Sequence, residues 1–533
     1  MGNEAIVRGA LEAGVAFVST YPGTPSSEIG NIFYRISKEA GVYFEFSTNE
    51  KVALEAGIGA SFSNLKTLVA MKSFGLNVAL DSLLPLAYAG TKGPMVIIVA
   101  DDPNCWSSAQ SEENSRAFAY LSHVPILEPS DPQECKDFTK LGFKISENFK
   151  IPVIIRTTTR VAHQSSLVTF ENILKPENKG EFIRDKKRFV TMPPQVLEMK
   201  EELLEKIEKI KEFSEKSEIN SEDSSKKSKI GIITSGISYL YVMEALKELG
   251  LELPVLKLGF FYPLPEEKIK VFIKSLKKIL VVEELEPYLE NEVERLAKKS
   301  NCKLEVIGKK LLSQTGEMKP EFVSSAIARV SGKKVQISDF YAGTEGKFLI
   351  PKMKHLARFC PGCPYWSVFT TVKKVAPEST VFGGDIGCYM LGSVSPHNLY
   401  DYLFSMGSSI GIAHGVNKST KSKVIAFIGD STFFHAGIPA LINTVFNKSN
   451  PLIIVLDNQT TAMTGHQLNP GMGENGIKIE DIVSACGIKN LKIIDPVDVK
   501  ELEDGIKEFL PKEEVSVIIS RHLCALLAKK QQG

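Results

Sequence analysis

Two apolar runs, each ending in a polar turn and separated by a helical pattern, constrain the fold of this 533-residue chain more than any other feature. The first run, residues 424–428, ends in Gly429-Asp430-Ser431, and the second, residues 452–456, ends in Asp457-Asn458-Gln459-Thr460. A helical pattern lies between them, at about residues 433–447. This order of segments predicts a βαβ unit with two parallel strands.

Polar side chains at the carboxyl ends of neighbouring parallel strands lie where open α/β sheets bind ligands. Asp430 offers a carboxylate and Asn458 an amide oxygen, and both are ligands suited to Mg²⁺ or Ca²⁺. A metal there would hold a phosphate group, whose oxygens backbone N–H groups near Ser431 and Thr432 would cradle. The alternative is a pair of solvated turns in an ordinary α/β domain.

The remaining chain predicts an α/β fold made of three doubly wound parallel-sheet domains. Strands are expected at residues 15–18, 42–46, 67–71, 95–100, 126–127, 152–155, 230–234, 255–258, 279–283, 304–306 and 515–519. Helices are expected, among other places, at residues 26–37, 50–61 and 76–89. The predicted boundaries are 1–165 for the first domain, 229–335 for the second and 350–533 for the third. Residues 166–228 contain a helical segment and a charged stretch, 214–229, that is interpreted as a solvated linker, and 336–350 form a short connector.

Composition and charge exclude several classes of protein. The chain is 43% hydrophobic and 24% charged, and its net charge of +1 gives no reason to expect a nucleic-acid partner. No apolar run approaches the roughly 18 residues of a membrane span, and the acidic, amphipathic start is not a signal peptide. We therefore expect a cytoplasmic protein without a membrane partner.

The cysteines suggest a second site. Cys360 and Cys363 form a CxxC motif, Cys388 follows a glycine-rich turn, and Cys524 lies after the last predicted strand. Four such thiolates suit a [4Fe–4S] cluster or zinc, and they are equally compatible with free thiols. The other cysteines are expected to be buried small apolar residues: Cys105, Cys135, Cys302 and Cys486.

A Gly-Asp-x turn followed about 28 residues later by an asparagine resembles the signature of thiamine-diphosphate enzymes. The resemblance implies that Asp430, Asn458 and the backbone carbonyl of Thr460 bind the metal that anchors the diphosphate, with Gly429 and Ser431 beside the cofactor. Ser431 and Asp457 depart mildly from the usual residues of the signature.

Thiamine diphosphate also requires a carboxylate that holds N1′ of its aminopyrimidine. Glu50, at the start of a predicted helix after an apolar run, is the residue that fits, and we expect the first domain to supply it. Glu55 is the competitor. The alternative for Glu50 is a carboxylate that only stabilises the helix start.

Several longer motifs resemble the large (alpha) subunits of indolepyruvate ferredoxin oxidoreductases, members of the 2-oxoacid:ferredoxin oxidoreductases. They are the first 14 residues, Tyr21-Pro-Gly-Thr-Pro-Ser-Ser-Glu, Asn49-Glu-Lys-Val-Ala, Cys360-Pro-Gly-Cys-Pro, Gly384-Asp-Ile-Gly-Cys and Gly429-Asp-Ser-Thr-Phe-Phe-His. The resemblance covers essentially the whole chain. It implies a transketolase-like, thiamine-diphosphate-binding fold in which the three domains are pyrimidine-binding, transketolase C-terminal-like and diphosphate-binding, in that order.

The resemblance implies oxidative decarboxylation of an aryl, indolepyruvate-like 2-oxo acid to CO₂ and an acyl-coenzyme A, with electrons passed through iron–sulfur clusters to ferredoxin. It places the nearest cluster on Cys360, Cys363, Cys388 and Cys524, and implies a smaller beta subunit in a dimer of heterodimers. Typical large subunits continue into a ferredoxin-like domain, whereas this sequence ends at Gly533. We expect the relay clusters on another polypeptide, or a shortened chain, or a loss of redox chemistry. The alternatives are a non-redox thiamine decarboxylase or ligase and a non-catalytic subunit that keeps the fold.

Further residues are assigned by the resemblance or by their place at strand ends. Thr24 is expected to hydrogen-bond the 2-oxo acid, or else to be a turn residue, and Arg116 to pair with the substrate carboxylate, or else to be a surface residue. His435 and His466 are expected to move protons or to hold their loops, and His466 is the preferred catalytic one. Met406 and Gly407 are expected near the thiazolium, or else to serve packing.

Overall fold

The computed structural model describes residues 1–177, 179–223, 228–333 and 358–532. The chain forms two compact units, Met1–Ile350 and Pro351–Gly533. The connector expected at residues 336–350 lies outside the described residues. No helix in the described ranges combines the length and apolar character needed to cross a membrane.

The N-terminal part of the first unit is built on a mostly parallel sheet. Its strands are β1 (Phe17–Thr20), β2 (Tyr43–Phe46), β3 (Thr67–Lys72), β4 (Met95–Asp101), β5 (Ile126–Leu127) and β6 (Val153–Thr158). Its helices are α1 (Gly2–Glu12), α2 (Ser27–Ala40), α3 (Glu50–Phe62), α4 (Ser73–Ala89), α5 (Ala117–Ser122), α6 (Pro132–Phe149) and α7 (Thr159–His163). Nearly every residue of β3, β4 and β6 is buried, as in parallel strands that helices cover on both faces.

The second part of this unit carries another sheet. Its strands are β7 (Glu222–Asp223), β8 (Ile230–Ser235), β9 (Val255–Leu258), β10 (Phe260–Tyr262), β11 (Lys278–Val282) and β12 (Glu305–Ile307). Its helices are α8 (Lys186–Phe189), α9 (Gln195–Lys216), α10 (Ser238–Leu249), α11 (Glu266–Ile273), α12 (Tyr288–Ser300) and α13 (Pro320–Ser331). The sheet order is β12-β11-β8-β9-β7, and β7 pairs antiparallel with β9.

Strand β10 leaves this second sheet and joins the first. It pairs antiparallel with β5, which gives the first sheet the order β10-β5-β6-β4-β3-β1-β2. The chain passes from β1 to β2 on one side and returns to β3 on the other side of β1. The winding therefore reverses between β1 and β3, and a crevice opens at their carboxyl ends.

The linker predicted at residues 214–229 is wrong in its first half. Helix α9 continues to Lys216, and Ser214 and Asn220 are buried. The Asn220 side chain accepts hydrogen bonds from the backbone N–H groups of Gly259 and Phe260, each at 3.0 Å. These buried amide contacts tie the segment to the loop before β10, so it is packed rather than solvated. Residues 224–227 lie outside the described part.

The second unit has one parallel sheet in the order β14-β13-β15-β16-β18-β17. Its strands are β13 (Val381–Gly384), β14 (Tyr402–Leu403), β15 (Val424–Gly429), β16 (Leu452–Asp457), β17 (Asn490–Ile494) and β18 (Ser516–Arg521). Its helices are α14 (Tyr365–Val375), α15 (Ser408–Ser419), α16 (Asp430–Thr432), α17 (Ile438–Phe446), α18 (Ile479–Ala485), α19 (Val499–Phe509) and α20 (Ala525–Gln532). A π-helical turn, Phe433–Gly437, joins α16 to α17, and short 3₁₀ turns occupy Pro103–Cys105, Cys388–Ser393 and Ala462–Thr464.

The predicted α/β fold with mostly parallel sheets is confirmed. Every strand predicted above overlaps an observed strand, and the βαβ unit at residues 424–457 has the predicted parallel pairing. The antiparallel edge strands β7 and β10 were not predicted. The domain boundaries at 165 and 229 stay predictions, because one compact unit spans both.

Candidate functional site

The parallel pairing of β15 with β16 brings the predicted metal ligands together. Gly429 lies opposite Leu456, so Asp430 and Asn458 follow at the same edge of the sheet. The backbone N–H of Thr460 donates to Asp430 Oδ2 at 3.2 Å and to Asn458 Oδ1 at 3.3 Å. All three residues are buried. The side chains named from the sequence signature therefore meet around one backbone amide.

The donors around this point suit a hard cation. Burial, followed by the nearby charge of Asp457, raises the pKa of Asp430 to about 7. A bound cation would offset both effects and favour the carboxylate form. The Thr460 carbonyl accepts one hydrogen bond, from Ala462 N at 2.9 Å, and keeps a second lone pair. The buried Thr460 Oγ1 has no hydrogen-bond partner in the described structure.

The sequence did not identify Asn469, which also contacts this carboxylate. Its Nδ2 donates to Asp430 Oδ2 at 3.0 Å. It comes from the loop after β16, eleven residues beyond Asn458, where no strand end or spacing marks it. The neighbouring Asp457 is held by Arg521 at 2.6 Å, and Arg521 in turn pairs with Glu480. Asp457 is thus a structural residue of the turn as well as the source of the charge near Asp430.

The chain enters a helical turn directly after Gly429. A Cβ at Gly429 would lie 2.6 Å from the ring of Tyr389, so a side chain at this position would collide with that buried ring. Ser431 accepts from the hydroxyl of Thr461 at 3.1 Å, and Thr432 donates to the Ile386 carbonyl at 3.0 Å. The backbone N–H groups at the start of α16 thus lie beside Asp430, where they would face the oxygens of a metal-bound phosphate.

Asp385, at the end of β13, fixes the neighbouring loop. Its carboxylate accepts hydrogen bonds from the backbone N–H groups of Ile386 at 2.7 Å, Gly407 at 2.9 Å and Ser409 at 2.9 Å. Burial raises the pKa of Asp385 to about 6. Gly407 has φ = +83°, and a Cβ there would lie 2.6 Å from that of Ala436. The half-buried Met406 precedes it, so both residues expected near the thiazolium sit on a loop that Asp385 anchors.

The four cysteines expected to hold a cluster are neighbours in the second unit. Burial, followed by the charges of Cys363, Cys524 and Cys360, raises the pKa of the Cys388 thiol to about 12. A Cβ on Gly362, inside the CxxC loop, would lie 3.7 Å from that of Ala525, which follows Cys524. The Cys524 backbone N–H donates to the Asn458 carbonyl at 3.2 Å, which links this group to the predicted metal ligands.

Within the described residues, no three His, Cys, Asp or Glu side chains are arranged as a metal site. The ligand role of the four cysteines therefore stays a prediction, and all eight cysteines of the chain are free thiols. Of the cysteines expected to be buried, Cys135 is buried, Cys105 and Cys486 are partly buried, and Cys302 is exposed. The expectation for Cys302 is wrong, because it lies in the loop between α12 and β12.

Glu50 begins helix α3 and is buried. Asn49 caps this helix by accepting from the Val52 N–H at 2.9 Å. A Cβ on Gly75 would lie 2.5 Å from Glu50 Cγ, so the glycine makes room for the acidic side chain. The competitor Glu55 is 43% exposed and pairs with Lys51. A carboxylate that serves a buried cofactor must itself be buried, and Glu50 meets that condition.

The remaining predicted site residues have mixed outcomes. Thr24 is half-buried, and its hydroxyl lies 3.3 Å from that of Ser27. His435 is buried within the π-helical turn. His466 is half-buried with φ = +67°, and its Nδ1 has no hydrogen-bond partner among the described residues. Burial, with a smaller contribution from Lys530, lowers the pKa of His466, so the ring is neutral at pH 7.

Arg116 is neither on the surface nor available to a ligand. Its guanidinium forms two 2.7 Å hydrogen bonds with Glu128, one of 2.5 Å with Glu283 and one of 2.7 Å with Ser235. The side chain is 2% exposed. The surface interpretation is wrong because β8 and the end of β11 close over the arginine. Turning it toward a substrate would leave the buried Glu283 carboxylate without its arginine and Glu128 with Arg156 alone.

Three family models match successive parts of the chain. Residues 8–226 match the pyruvate flavodoxin/ferredoxin oxidoreductase, thiamine-diphosphate-binding model. Residues 221–336 match the indolepyruvate oxidoreductase domain, and residues 385–520 match the C-terminal binding domain of thiamine pyrophosphate enzymes.

Similar proteins cover the whole chain. It is 42% identical over 550 residues to indolepyruvate oxidoreductase subunit IorA of Methanothermobacter thermautotrophicus, an alignment that covers 100% of this chain and 88% of the relative. It is 42% identical over 557 residues to the same subunit of Thermococcus kodakarensis, covering 99% and 85% of the two chains. A solved 2-oxoglutarate:ferredoxin oxidoreductase from Magnetococcus marinus matches with a TM-score of 0.49 at 17% identity, over 62% of this chain and 64% of that one.

Proposed function

This chain belongs to the family of indolepyruvate oxidoreductase subunit IorA, and from that premise we infer that it is the thiamine-diphosphate-dependent subunit of a 2-oxoacid oxidoreductase. The reaction is the oxidative decarboxylation of a 2-oxo acid. The finer proposal is an aryl, indolepyruvate-like substrate, electron transfer through iron–sulfur clusters to ferredoxin, and release of the acyl group to coenzyme A. A smaller beta subunit and a dimer of heterodimers complete the proposal.

The observation that carries this proposal is the meeting of Asp430, Asn458 and Thr460 at the ends of β15 and β16. Their oxygens fit Mg²⁺ or Ca²⁺, and the helix start beside them fits the diphosphate that such a cation anchors. The bound cofactor supplies a carbon nucleophile and an electron sink for decarboxylation. We assign the metal to Asp430, Asn458 and the Thr460 carbonyl, with Gly429 and Ser431 beside the diphosphate.

The other residues act on protons and position. Glu50 is buried at a helix start and would hold N1′ of the aminopyrimidine, so that the adjoining amino group can give and take a proton. His466 is neutral at pH 7 and has an unused buried nitrogen, which suits a proton acceptor. Asp385 orients the Met406–Gly407 loop through the backbone, and we propose that this loop packs against the thiazolium.

The cysteine group supports the redox part of the proposal. Burial, followed by the neighbouring thiols, raises the pKa of Cys363 and Cys388, and a cation or cluster bound there would favour the thiolate forms that act as its ligands. We propose that Cys360, Cys363, Cys388 and Cys524 hold a [4Fe–4S] cluster. Zinc at the same four thiols would leave the protein colourless and redox-inactive.

The test is an anaerobic purification followed by iron, sulfide and thiamine diphosphate assays. The wild type should be brown and retain about one thiamine diphosphate per chain, and Asp430→Ala should lose the thiamine diphosphate. Asp481→Ala is the matched control, because Asp481 is an exposed aspartate of the same unit. Full cofactor retention by Asp430→Ala would refute the metal assignment. Aldehyde release without an electron acceptor would support the non-redox alternative instead.

A further inference from the structure

The carboxyl edge of the first sheet carries a lysine that the proposed function does not use. Lys72 ends β3, at the point between β1 and β3 where the winding of the sheet reverses. A Cβ on Gly23 would lie 2.7 Å from the Lys72 Cβ, so the turn that carries Thr24 packs directly against this lysine. Open α/β sheets bind their ligands at such a reversal point.

Glu50 borders the same crevice. It opens the helix after β2, the strand on the far side of β1, and its side chain lies against Gly75 of helix α4. Gly75 is three residues beyond Lys72. The acid proposed for the cofactor, the hydroxyl of Thr24 and the ammonium of Lys72 thus all belong to the carboxyl ends of three adjacent strands, β2, β1 and β3.

The Lys72 side chain is largely but not fully buried, and its ammonium group makes few hydrogen bonds. It donates to the Ser107 carbonyl at 2.9 Å, lies 3.9 Å from Asp102 Oδ2 and 5.1 Å from the centre of the Phe74 ring. The side chain is 11% exposed. An ammonium has three N–H donors, and the contacts of the described residues within hydrogen-bond distance take one of them.

The groups that face Lys72 keep it charged at neutral pH. Burial lowers its pKa to about 8, whereas Asp102, Cys105 and Glu113 act in the opposite direction. Glu113 has one carboxylate oxygen that is buried without a partner among the described residues, and burial raises its pKa to about 7. Protonation of Glu113 therefore leaves the lysine with less local negative charge than the number of carboxylates suggests.

Arg116, for which the sequence left pairing with the substrate carboxylate or a place on the surface as alternatives, is held by Glu128 and Glu283. Lys72 carries the same positive charge, lies at the carboxyl edge of the sheet, and donates one hydrogen bond within the described residues, whereas the Arg116 guanidinium donates four. We propose that Lys72 binds the carboxylate of the 2-oxo acid, with Thr24 beside the oxo group. This inference rests on the proposed function, because the substrate class comes from there.

The proposal is tested by direct binding, with the full chain loaded with thiamine diphosphate and Mg²⁺. Calorimetry compares phenylpyruvate with phenylacetaldehyde, which lacks the carboxylate. Lys72→Met should weaken phenylpyruvate binding by roughly ten- to a hundredfold, the range of a charge-assisted hydrogen bond, and leave phenylacetaldehyde binding unchanged. Lys72→Arg should restore most of the affinity for phenylpyruvate. Lys66→Met is the matched control, because Lys66 directly precedes the other end of β3, where it donates to the Ala13 carbonyl.

Each outcome decides a different point. Equal affinity of Lys72→Met and the wild type for phenylpyruvate overturns the proposal, and so does an equal loss for both ligands, which indicates a distorted pocket. A wild type that binds phenylpyruvate through Lys72 but releases no CO₂ overturns the proposed function and supports the lysine assignment. A wild type that binds neither phenylpyruvate, pyruvate nor 2-oxoglutarate overturns both.

Discussion

Replacement of Asp430 by asparagine should stabilise the cofactor-free protein while destroying its cofactor site. Asp430 is buried, and its pKa rises from an ordinary 3.8 to about 7. At neutral pH, the raised pKa of this buried acid corresponds to a destabilisation of the folded state by about 4 kcal/mol. An asparagine has no charge to bury, so Asp430→Asn removes this penalty.

Part of this gain in the stability of the Asp430→Asn variant is lost again. An asparagine oxygen can still accept from Thr460 N and from Asn469 Nδ2. Its amide group, however, replaces an acceptor next to the Ser431 backbone N–H, and one mismatched buried pair costs about 1–3 kcal/mol. The net expectation without metal is a variant about 1–3 kcal/mol more stable than the wild type above pH 7.

The pH dependence of the stability difference follows from the direction in which the pKa of Asp430 is shifted. A carboxyl with a raised pKa destabilises the folded state increasingly from about pH 4 to pH 7, where the unfolded chain has lost the proton and the folded chain keeps it. The penalty falls to about 1.6 kcal/mol at pH 5, so the two proteins should be about equally stable there. Adding Mg²⁺ and thiamine diphosphate at a hundred times the dissociation constant should stabilise only the wild type, by about 2.7 kcal/mol.

Tryptophan fluorescence can report the unfolding of one unit separately from the other. Its two tryptophans lie one in each unit, Trp106 in the first and Trp366 on α14 in the second. In a Trp106→Phe background, the fluorescence of Trp366 reports urea unfolding of the second unit alone. Asp481→Asn is the control that should leave stability unchanged. A metal-free Asp430→Asn less stable than the wild type at pH 8, or a stability difference that does not narrow toward pH 5, would refute the reasoning.

Three further predictions concern the acid, the thiols and the buried arginine. Glu50→Gln should retain thiamine diphosphate and lose turnover by about 10²–10⁴-fold, whereas Glu55→Gln should keep near wild-type turnover; equal activity of the two variants would contradict the role of Glu50. Cys388→Ser should lower the iron and sulfide content of the anaerobic protein, and Cys302→Ser, at an exposed thiol, should leave both unchanged; an unchanged iron content in Cys388→Ser would exclude the cluster assignment. Arg116→Met should lower the free energy of unfolding by about 3–5 kcal/mol in urea titrations, because it leaves the buried Glu283 without its arginine and Glu128 with Arg156 alone, and a loss below 1 kcal/mol would contradict that account.

Elements of the fold that depend on neighbouring residues could be predicted from the sequence, whereas contacts between distant segments could not. The apolar run before Asp430 predicted a buried strand because parallel strands covered on both faces carry continuous hydrophobic residues. Asn220 looked like part of a solvated linker because its neighbours are serine and glutamate, and only the fold shows that it caps the backbone of Gly259 and Phe260. The crossing of β10 into the first sheet is equally non-local, since its partner β5 lies more than 130 residues earlier.

The same distinction applies to the candidate site. Asp430 and Asn458 stand at strand ends, so a pattern of strands and turns predicts them. Asn469 reaches Asp430 from a loop, and Arg116 is enclosed by strands from distant parts of the chain, so no spacing in the sequence indicates either contact. The choice between Glu50 and Glu55 depends on which of the two side chains is buried. The sequence does not show this, because the burial results from the packing of helix α3 against α4.

Two buried aspartates of the second unit show why a raised pKa alone does not identify a ligand-binding carboxylate. Asp385 accepts three short backbone hydrogen bonds, and burial alone raises its pKa. The N–H groups of the loop that it holds therefore already stabilise its carboxylate. Asp430 accepts longer bonds at 3.0 and 3.2 Å and is also repelled by Asp457. A second negative group within range is a cost that backbone donors do not remove and that a divalent cation does. Asp430 is therefore expected to bind the metal, and Asp385 to shape the loop beside it.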